Sequence, residues 1–222
     1  TDPEAVVGFW AAIQLGAVAV PLNAWWQGEE LAYALQDAGA KVFVCDEERL
    51  RRVAAHADAF DCRQFIVTRA AHDPDDPLPL APVDWGDALA TGESPTLPAL
   101  HPDDDATLFY TSGTTGRPKG ALGTHRNICT SVMVSSFARA RGLLRRGEAL
   151  PDPSEPQPQK ATLLAVPLFH VTGCHSILVA GTAGGGKIVM MYRWDAAKAL
   201  RLIEAESVNS FGGVPTVVWQ IL

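Results

Sequence analysis

The clearest evidence for the fold class lies in residues 41–68, which read KVFVCDEERLRRVAAHADAFDCRQFIVT. Two short runs rich in β-branched and aromatic residues, 41–45 and 64–68, predict strands. The charged segment between them predicts a helix from Glu47 to about Ala57. A strand, a helix and a second strand in this order are typical of parallel sheets, so we expect an α/β fold.

The same alternation extends in both directions along the chain. We predict further helices over 5–15, 28–38, 85–90, 171–183 and 195–206, with another beginning at Pro215. We predict further strands over 18–22, 106–110, 161–166, 187–191 and 208–211. The first helix is apolar on almost all sides and should be buried. Short, continuously apolar strands indicate mostly parallel sheets covered by helices on both faces.

A change of composition at 145–160 suggests a boundary. This stretch, RRGEALPDPSEPQPQK, holds four prolines and no aromatic residue, as solvated linkers do. We therefore predict two similar α/β subdomains, the first over 1–144 and the second, incomplete, over 161–222.

The composition is that of a globular protein, with 222 residues, 47% of them hydrophobic, and a net charge of −7. The acidic balance argues against a nucleic-acid partner. Four cysteines without a CxxC spacing indicate reduced thiols, and no apolar run reaches the roughly 18 residues of a membrane span. We expect a cytoplasmic protein, with peripheral membrane association and a homodimer left open. The chain starts at a helix cap and stops within a helical pattern, so we expect a piece of a longer protein.

The sharpest motif is Thr111–Gly120, TSGTTGRPKG, which directly follows a predicted strand. Its three glycines let the backbone approach a ligand closely, and its four hydroxyls and exposed N–H groups can bind phosphate oxygens. Lys119 adds a mobile positive charge. Pro118 stands where the second glycine of a Walker A motif would be, and residues 121–124 resemble a strand, with a helix beginning only at His125. The sequence therefore predicts a phosphate-binding loop between two strands.

This motif resembles the phosphate loop of the adenylate-forming superfamily, which includes acyl-CoA synthetases, luciferases and the adenylation domains of peptide synthetases. Three other stretches are similar to that superfamily in order and spacing: 15–23 (LGAVAVPLN), 167–173 (PLFHVTG) and 209–216 (NSFGGVPT). Residues 25–31 and the Pro-Leu-Phe-His form look more like ligases that join CoA to fatty acids or other carboxylates.

The resemblance implies a two-step reaction, in which ATP activates a carboxylic acid, most typically a fatty acid, as an acyl-adenylate, and coenzyme A then takes the acyl group. It implies that the β- and γ-phosphates of ATP are bound by Thr111, Ser112, Gly113, Thr114, Thr115, Gly116 and Lys119. Thr111 or Ser112 would also approach Mg²⁺. His170 would lie between the adenylate and the acyl tunnel. The other residues expected at the carboxylate substrate are Val171, Thr172, Gly173, Val214 and Pro215.

Several motifs of the superfamily do not occur within residues 1–222: a later aromatic-Gly-x-Thr-Glu, a Thr-Gly-Asp, a hinge and a C-terminal lysine. We therefore expect the full-length parent to catalyse the reaction and the isolated chain to be inactive. Two alternatives stay open at this point. The chain could bind a nucleotide or a partner without chemistry, or it could belong to an amino-acid adenylation domain that loads a carrier protein.

Three weaker features have simpler interpretations. His170, Cys174 and His175 have a spacing that could hold zinc, but no further ligand is evident and a pocket-lining His170 is favoured. Residues 184–187, GGGK, precede a strand and predict a helix-to-strand turn rather than a second phosphate loop. The acidic run 103–105 predicts a solvated loop rather than a metal site.

Overall fold

The computed structural model describes residues 2–71, 73–90, 92, 94–111, 116–152, 154–155 and 157–222. Its α-helices are α1 (Pro3–Gln14), α2 (Gly28–Asp37), α3 (Glu47–Ala54), α4 (Trp85–Ala90), α5 (His125–Arg145), α6 (Ala180–Ala183), α7 (Ala196–Ala205) and α8 (Pro215–Trp219). Its strands are β1 (Val42–Asp46), β2 (Gln64–Thr68), β3 (Val83–Asp84), β4 (Asp105–Thr111), β5 (Lys119–Thr124), β6 (Ala161–Leu164), β7 (Lys187–Met190) and β8 (Ser210–Gly212). The α/β prediction is confirmed.

The chain groups into two compact units. The first unit contains residues 3–100 and 106–122, and the second contains residues 101–105 and 123–222 together with Asp2. The structure thus groups α5 with the residues after the proline-rich stretch. The predicted division, with 1–144 as one subdomain and 145–160 as a linker, differs at this helix and stays a prediction.

The first unit contains a parallel sheet in the order β1-β2-β3. β1 and β2 pair along their whole length, from Val42 opposite Gln64 to Asp46 opposite Thr68. α3 begins where β1 ends, because the Asp46 carboxylate accepts the Arg49 backbone N–H at 3.0 Å and caps the helix. This is the β–α–β unit that residues 41–68 predict.

Most of the core of the first unit lies between this sheet and helices α2 and α3. Its fully buried side chains include Leu31, Leu50, Val53, Phe60 and Val67. α2 lies against α3 at Gly28, where a Cβ would overlap the Arg52 carbonyl oxygen and lie 2.7 Å from the His56 ring. The absence of a side chain at Gly28 therefore permits this close approach of the two helices.

Two predictions for the start of the chain are wrong. The helix expected to be buried is α1, yet among its residues only Phe9 is buried, and Val7 is 47% exposed. The strand expected over 18–22 is a single parallel bridge between Ala19 and Thr107 of β4. Pro21 carries no N–H, so it cannot extend this ladder as a donor.

The second unit contains a parallel sheet in the order β7-β6-β8. Its core includes Leu163, Val189, Met191 and Ala199. The helix predicted over 171–183 is present, and most of it, Thr172–Val179, is a π-helix that continues into α6. A π-helix has i→i+5 hydrogen bonds in place of i→i+4, and the apolar residues of so short a segment do not indicate which of the two forms. Among the described helices, none combines the length and the apolar character that crossing a bilayer requires.

Candidate functional site

The predicted phosphate loop joins two paired strands, β4 and β5. β4 ends at Thr111 and β5 begins at Lys119. Ser112, Gly113, Thr114 and Thr115 lie outside the described residues. At the base of the loop, the Thr111 hydroxyl donates to the Lys119 carbonyl oxygen at 3.3 Å. The two ends of the loop are therefore joined by the strand pair and by this bond.

The described end of the loop carries two cations in different environments. The Arg117 guanidinium lies over the Tyr33 ring, 5.1 Å from its centroid, a geometry typical of a cation–π contact. Lys119 is exposed, and it forms no ion pair with any residue in the described part of the chain. Gly116 has φ = 140°, a conformation that other residues rarely adopt. The exposed Lys119, three residues after this glycine, can approach an anionic ligand.

Two tyrosines that the sequence analysis did not single out contact this region. The Tyr33 hydroxyl donates to the Pro118 carbonyl oxygen at 3.2 Å, and the Tyr110 hydroxyl donates to Asp37 Oδ2 at 2.7 Å. Burial, helped by the hydrogen bond to Asp37, raises the pKa of Tyr110 and keeps its hydroxyl a donor. These pairs are 85 and 73 residues apart in sequence, so no local signal could have indicated them.

The other predicted site residues lie at one edge of the sheet in the second unit. β6 is the central strand, and the chain returns from it to β7 on one side and then to β8 on the other. Pro167–Gly173 follows the carboxyl end of β6, and Val214 and Pro215 follow the carboxyl end of its parallel neighbour β8. Open α/β sheets bind ligands at the carboxyl edge, at the point where successive strands are added on opposite sides of one strand.

His170 and Gly173 have contrasting environments within this edge. His170 is exposed, its backbone N–H donates to the Pro167 carbonyl oxygen at 3.1 Å, and its ring lies 4.7 Å from that of Phe169. Val171 and Thr172 are also exposed. Gly173 is buried, and a Cβ there would overlap the Pro167 carbonyl oxygen and lie 2.6 Å from that of Val166. Gly173 thus has a packing role, whereas His170, Val171 and Thr172 are accessible to solvent.

The zinc interpretation of this segment gains no support. Among the described residues, no group of three or more His, Cys, Asp and Glu side chains could hold a metal ion. Burial raises the pKa of the Cys174 thiol to about 12 and lowers the pKa of His175. Both side chains are therefore favoured in their neutral forms, as expected of packed residues.

The predicted magnesium site can be tested only at Thr111, since Ser112 is outside the described residues. Thr111 is exposed and its hydroxyl is used as a donor to Lys119, so its oxygen is available as one hard ligand. Mg²⁺ in nucleotide sites takes most of its remaining ligands from phosphate and water. Thr111 therefore fits as one member of such a ligand set.

Comparison with known proteins gives one consistent result. A family model described as AMP-binding enzyme matches residues 1–222. The chain is 29% identical over 222 residues to 4-coumarate–CoA ligase 3 of Oryza sativa subsp. japonica, covering 99% of this chain and 36% of that protein. It is 31% identical over 217 residues to the long-chain-fatty-acid–CoA ligase FadD13 of Mycobacterium tuberculosis, covering 95% and 37%.

A solved structure agrees with these relatives. ATP-bound MatB from Rhodopseudomonas palustris superposes with a TM-score of 0.73 at 26% identity, covering 100% of this chain and 39% of that one. The chain therefore spans little more than a third of the length of the proteins it matches.

Proposed function

Because the chain belongs to the AMP-binding enzyme family, we propose that the full-length protein carrying it is an acid–thiol ligase. It uses ATP to activate a carboxylic acid and then transfers the acyl group to coenzyme A. The observation that carries this proposal is the loop between β4 and β5, with its closed base and its exposed Lys119, in a chain matched by the family along its whole length.

The chemistry fits what this loop offers. An oxygen of the carboxylate attacks the α-phosphorus of ATP, the bond to the β-phosphate oxygen breaks, and pyrophosphate leaves. The thiol sulfur then attacks the acyl carbon, the acyl–phosphate bond breaks, AMP leaves and the thiol proton passes to solvent. Negative charge accumulates on the leaving pyrophosphate, so fixed donors and one cation stabilise the first step.

Each part of the loop has a role in this proposal. Residues Thr111–Gly116 and the Lys119 ammonium bind the β- and γ-phosphates. Thr111 supplies one oxygen to Mg²⁺, which neutralises phosphate charge when bound. Preorganised donors of this kind lower the barrier because they need no rearrangement during the reaction.

The carboxylate substrate is proposed to meet the edge formed after β6 and β8. Val171 and Val214 are 52% and 57% exposed there, and they offer apolar surface to an acyl chain. A fatty acid is the substrate we propose. One relative is named for long-chain fatty acids and another for 4-coumarate, so an aromatic acid is the necessary comparison.

We also propose that the protein is cytoplasmic and that residues 1–222 do not complete the reaction alone. The described cysteines Cys45, Cys62, Cys129 and Cys174 are all free thiols, as expected in a reducing compartment. A homodimer stays a prediction.

The test is ATP–pyrophosphate exchange with the full-length protein. A panel containing long-chain fatty acids, 4-coumarate and amino acids separates the substrate classes. Exchange with a fatty acid, together with acyl-CoA formation when coenzyme A is added, supports the proposal, and exchange with 4-coumarate alone supports carboxylate activation but corrects the substrate. Exchange only with an amino acid would indicate a carrier-loading enzyme. No exchange with any acid by a folded protein would overturn the proposal.

A further inference from the structure

We propose that helix α2 is the platform that positions the two ends of the proposed phosphate loop, through Tyr110 at the loop's entry and Tyr33 at its exit. This inference rests on the proposed function of the loop, and it assigns positioning roles to two residues that do not contact the substrate. All the residues concerned belong to the first unit.

The entry of the loop is tied to α2 by Tyr110, the residue directly before Thr111. Its hydroxyl donates to Asp37 Oδ2 at 2.7 Å and lies 3.4 Å from the Ala34 carbonyl oxygen. Its ring packs edge-on against Trp26, with 5.9 Å between the ring centroids. A hydrogen bond to a carboxylate is stronger than one between neutral groups, so the direction of β4 at Thr111 is well defined.

The exit of the loop is tied to the same helix by Tyr33. Its hydroxyl donates to the Pro118 carbonyl oxygen at 3.2 Å, and its ring lies beneath the Arg117 guanidinium at 5.1 Å. Pro118 has a restricted φ, so fixing its carbonyl also fixes the backbone that leads into Lys119. One tyrosine therefore restrains the two residues immediately before the lysine proposed to bind phosphate.

The helix that supplies these contacts is itself firmly held. Leu31, Ala34 and Leu35 are almost fully buried on its inner side. The turn that precedes α2 is bound to α3, because the Arg52 guanidinium donates to the Trp26 carbonyl oxygen at 2.9 Å. A buried and anchored helix moves little, so contacts to it transmit order to the loop ends.

The experiment removes each hydroxyl in the full-length protein, as Tyr33→Phe and Tyr110→Phe. Tyr192→Phe is the matched control, because Tyr192 is exposed and also lies beside an arginine, Arg193, 5.5 Å from its ring centroid. Loss of one such hydrogen bond is expected to raise the KM for ATP in pyrophosphate exchange by roughly three- to tenfold. The KM for the acid and the thermal midpoint should change little, and the control should match wild type.

A graded series separates positioning from general packing at residue 33. Tyr33→Phe keeps the ring beneath Arg117, whereas Tyr33→Leu loses both the hydroxyl and the ring. The KM for ATP should therefore rise further in Tyr33→Leu than in Tyr33→Phe. Equal increases in the KM values for ATP and for the acid would indicate general damage and would overturn the inference.

A second measurement reports on the loop without any chemistry. Trypsin cleaves after Lys119, and the rate of cleavage of the Lys119–Gly120 bond, followed by mass spectrometry, should rise about threefold or more in both phenylalanine variants. Faster cleavage in a protein that shows no exchange would leave the platform standing and reject the proposed function. Unchanged cleavage and an unchanged KM for ATP in an active protein would reject the platform and leave the function standing.

Discussion

At the scale of single residues, the two positively charged side chains near the end of the loop have different surroundings. Arg117 is packed over Tyr33, whereas Lys119 is exposed and forms no ion pair with the described residues. An arginine that stacks on an aromatic ring is partly committed to that contact, while an ammonium on a flexible stem can follow a ligand. Lys119 is therefore the cation expected to contribute most to phosphate binding.

Lys119→Ala in the full-length protein should weaken ATP binding about ten- to hundredfold, because a charge-assisted contact to phosphate is lost. Calorimetry with ATP and Mg²⁺ measures this change. Lys198→Ala is the control, since Lys198 is an exposed lysine of α7. Binding as tight in Lys119→Ala as in wild type would contradict the assignment of this residue.

At the scale of elements, close approach at glycine decides how two helices pack. Gly28 lies where α2 meets the Arg52 carbonyl oxygen, whereas Gly8 in α1 has nothing within 4 Å of where a Cβ would be. The same substitution should therefore have opposite effects in the two helices. At Gly28 the added methyl group would overfill the contact between α2 and α3. At Gly8 it would only raise the helix propensity of α1.

Gly28→Ala should lower the free energy of unfolding by about 1–3 kcal/mol, because α2 must move away from α3. Gly8→Ala should raise it by about 0.5–1 kcal/mol. Urea unfolding of the two variants measures both changes against wild type. A stabilising Gly28→Ala would show that the helices are not in close contact at this point.

α1 is also linked to the end of β2 by an ion pair. Glu4 lies 2.8 Å from the Arg69 guanidinium, and this hydrogen bond, despite the opposing effect of burial, lowers the pKa of the carboxyl below its ordinary value of 4.5. An acid with a lowered folded-state pKa stabilises the fold above its ordinary pKa. That contribution is lost as the pH falls towards the folded-state value.

Glu4→Gln should therefore lower the free energy of unfolding at pH 7 by about 0.2–1 kcal/mol, the range for partly exposed pairs. The difference from wild type should shrink as the pH falls below 4.5. Urea unfolding at several pH values measures it, with Glu204→Gln in α7 as an exposed control. A difference that grows on acidification would contradict the sign of this argument.

At the scale of the whole molecule, the second unit includes residues from both sides of the proline-rich stretch. α5 precedes that stretch and contacts the π-helix Thr172–Val179, which follows it. The described residues between Arg146 and Lys160 are exposed and form no helix or strand. The stretch therefore connects two parts of one packed unit.

A specific protease site inserted after Glu148 should be cut readily without dissociating the fragments. Because α5 packs against the π-helix, the two pieces should elute together from a size-exclusion column in native buffer and separate in urea. Pieces that separate in native buffer would favour the sequence-based division, with a subdomain boundary at 145–160.

The sequence predicted well those features that depend on local patterns. Residues 41–68 indicated the β–α–β unit, and the breaks at Gly16, Gly39 and Asp195 lie close to observed helix ends. The sequence predicted less well those segments whose residue pattern is compatible with more than one structure. Only Phe9 of the apolar helix α1 is buried, and residues 172–179 of the predicted helix over 171–183 form a π-helix.

The sequence by itself indicated the family, through the resemblance of its motifs, and it predicted the α/β class and a glycine-rich loop between two strands, because glycine and β-branched residues act on the backbone near them. Only the tertiary structure decided that Tyr33 and Tyr110 hold the loop ends, and that His170 and Val214 follow neighbouring strands at one sheet edge. These pairs are distant along the chain. Their proximity results from how whole helices and strands bury their apolar faces, which no local pattern of residues records.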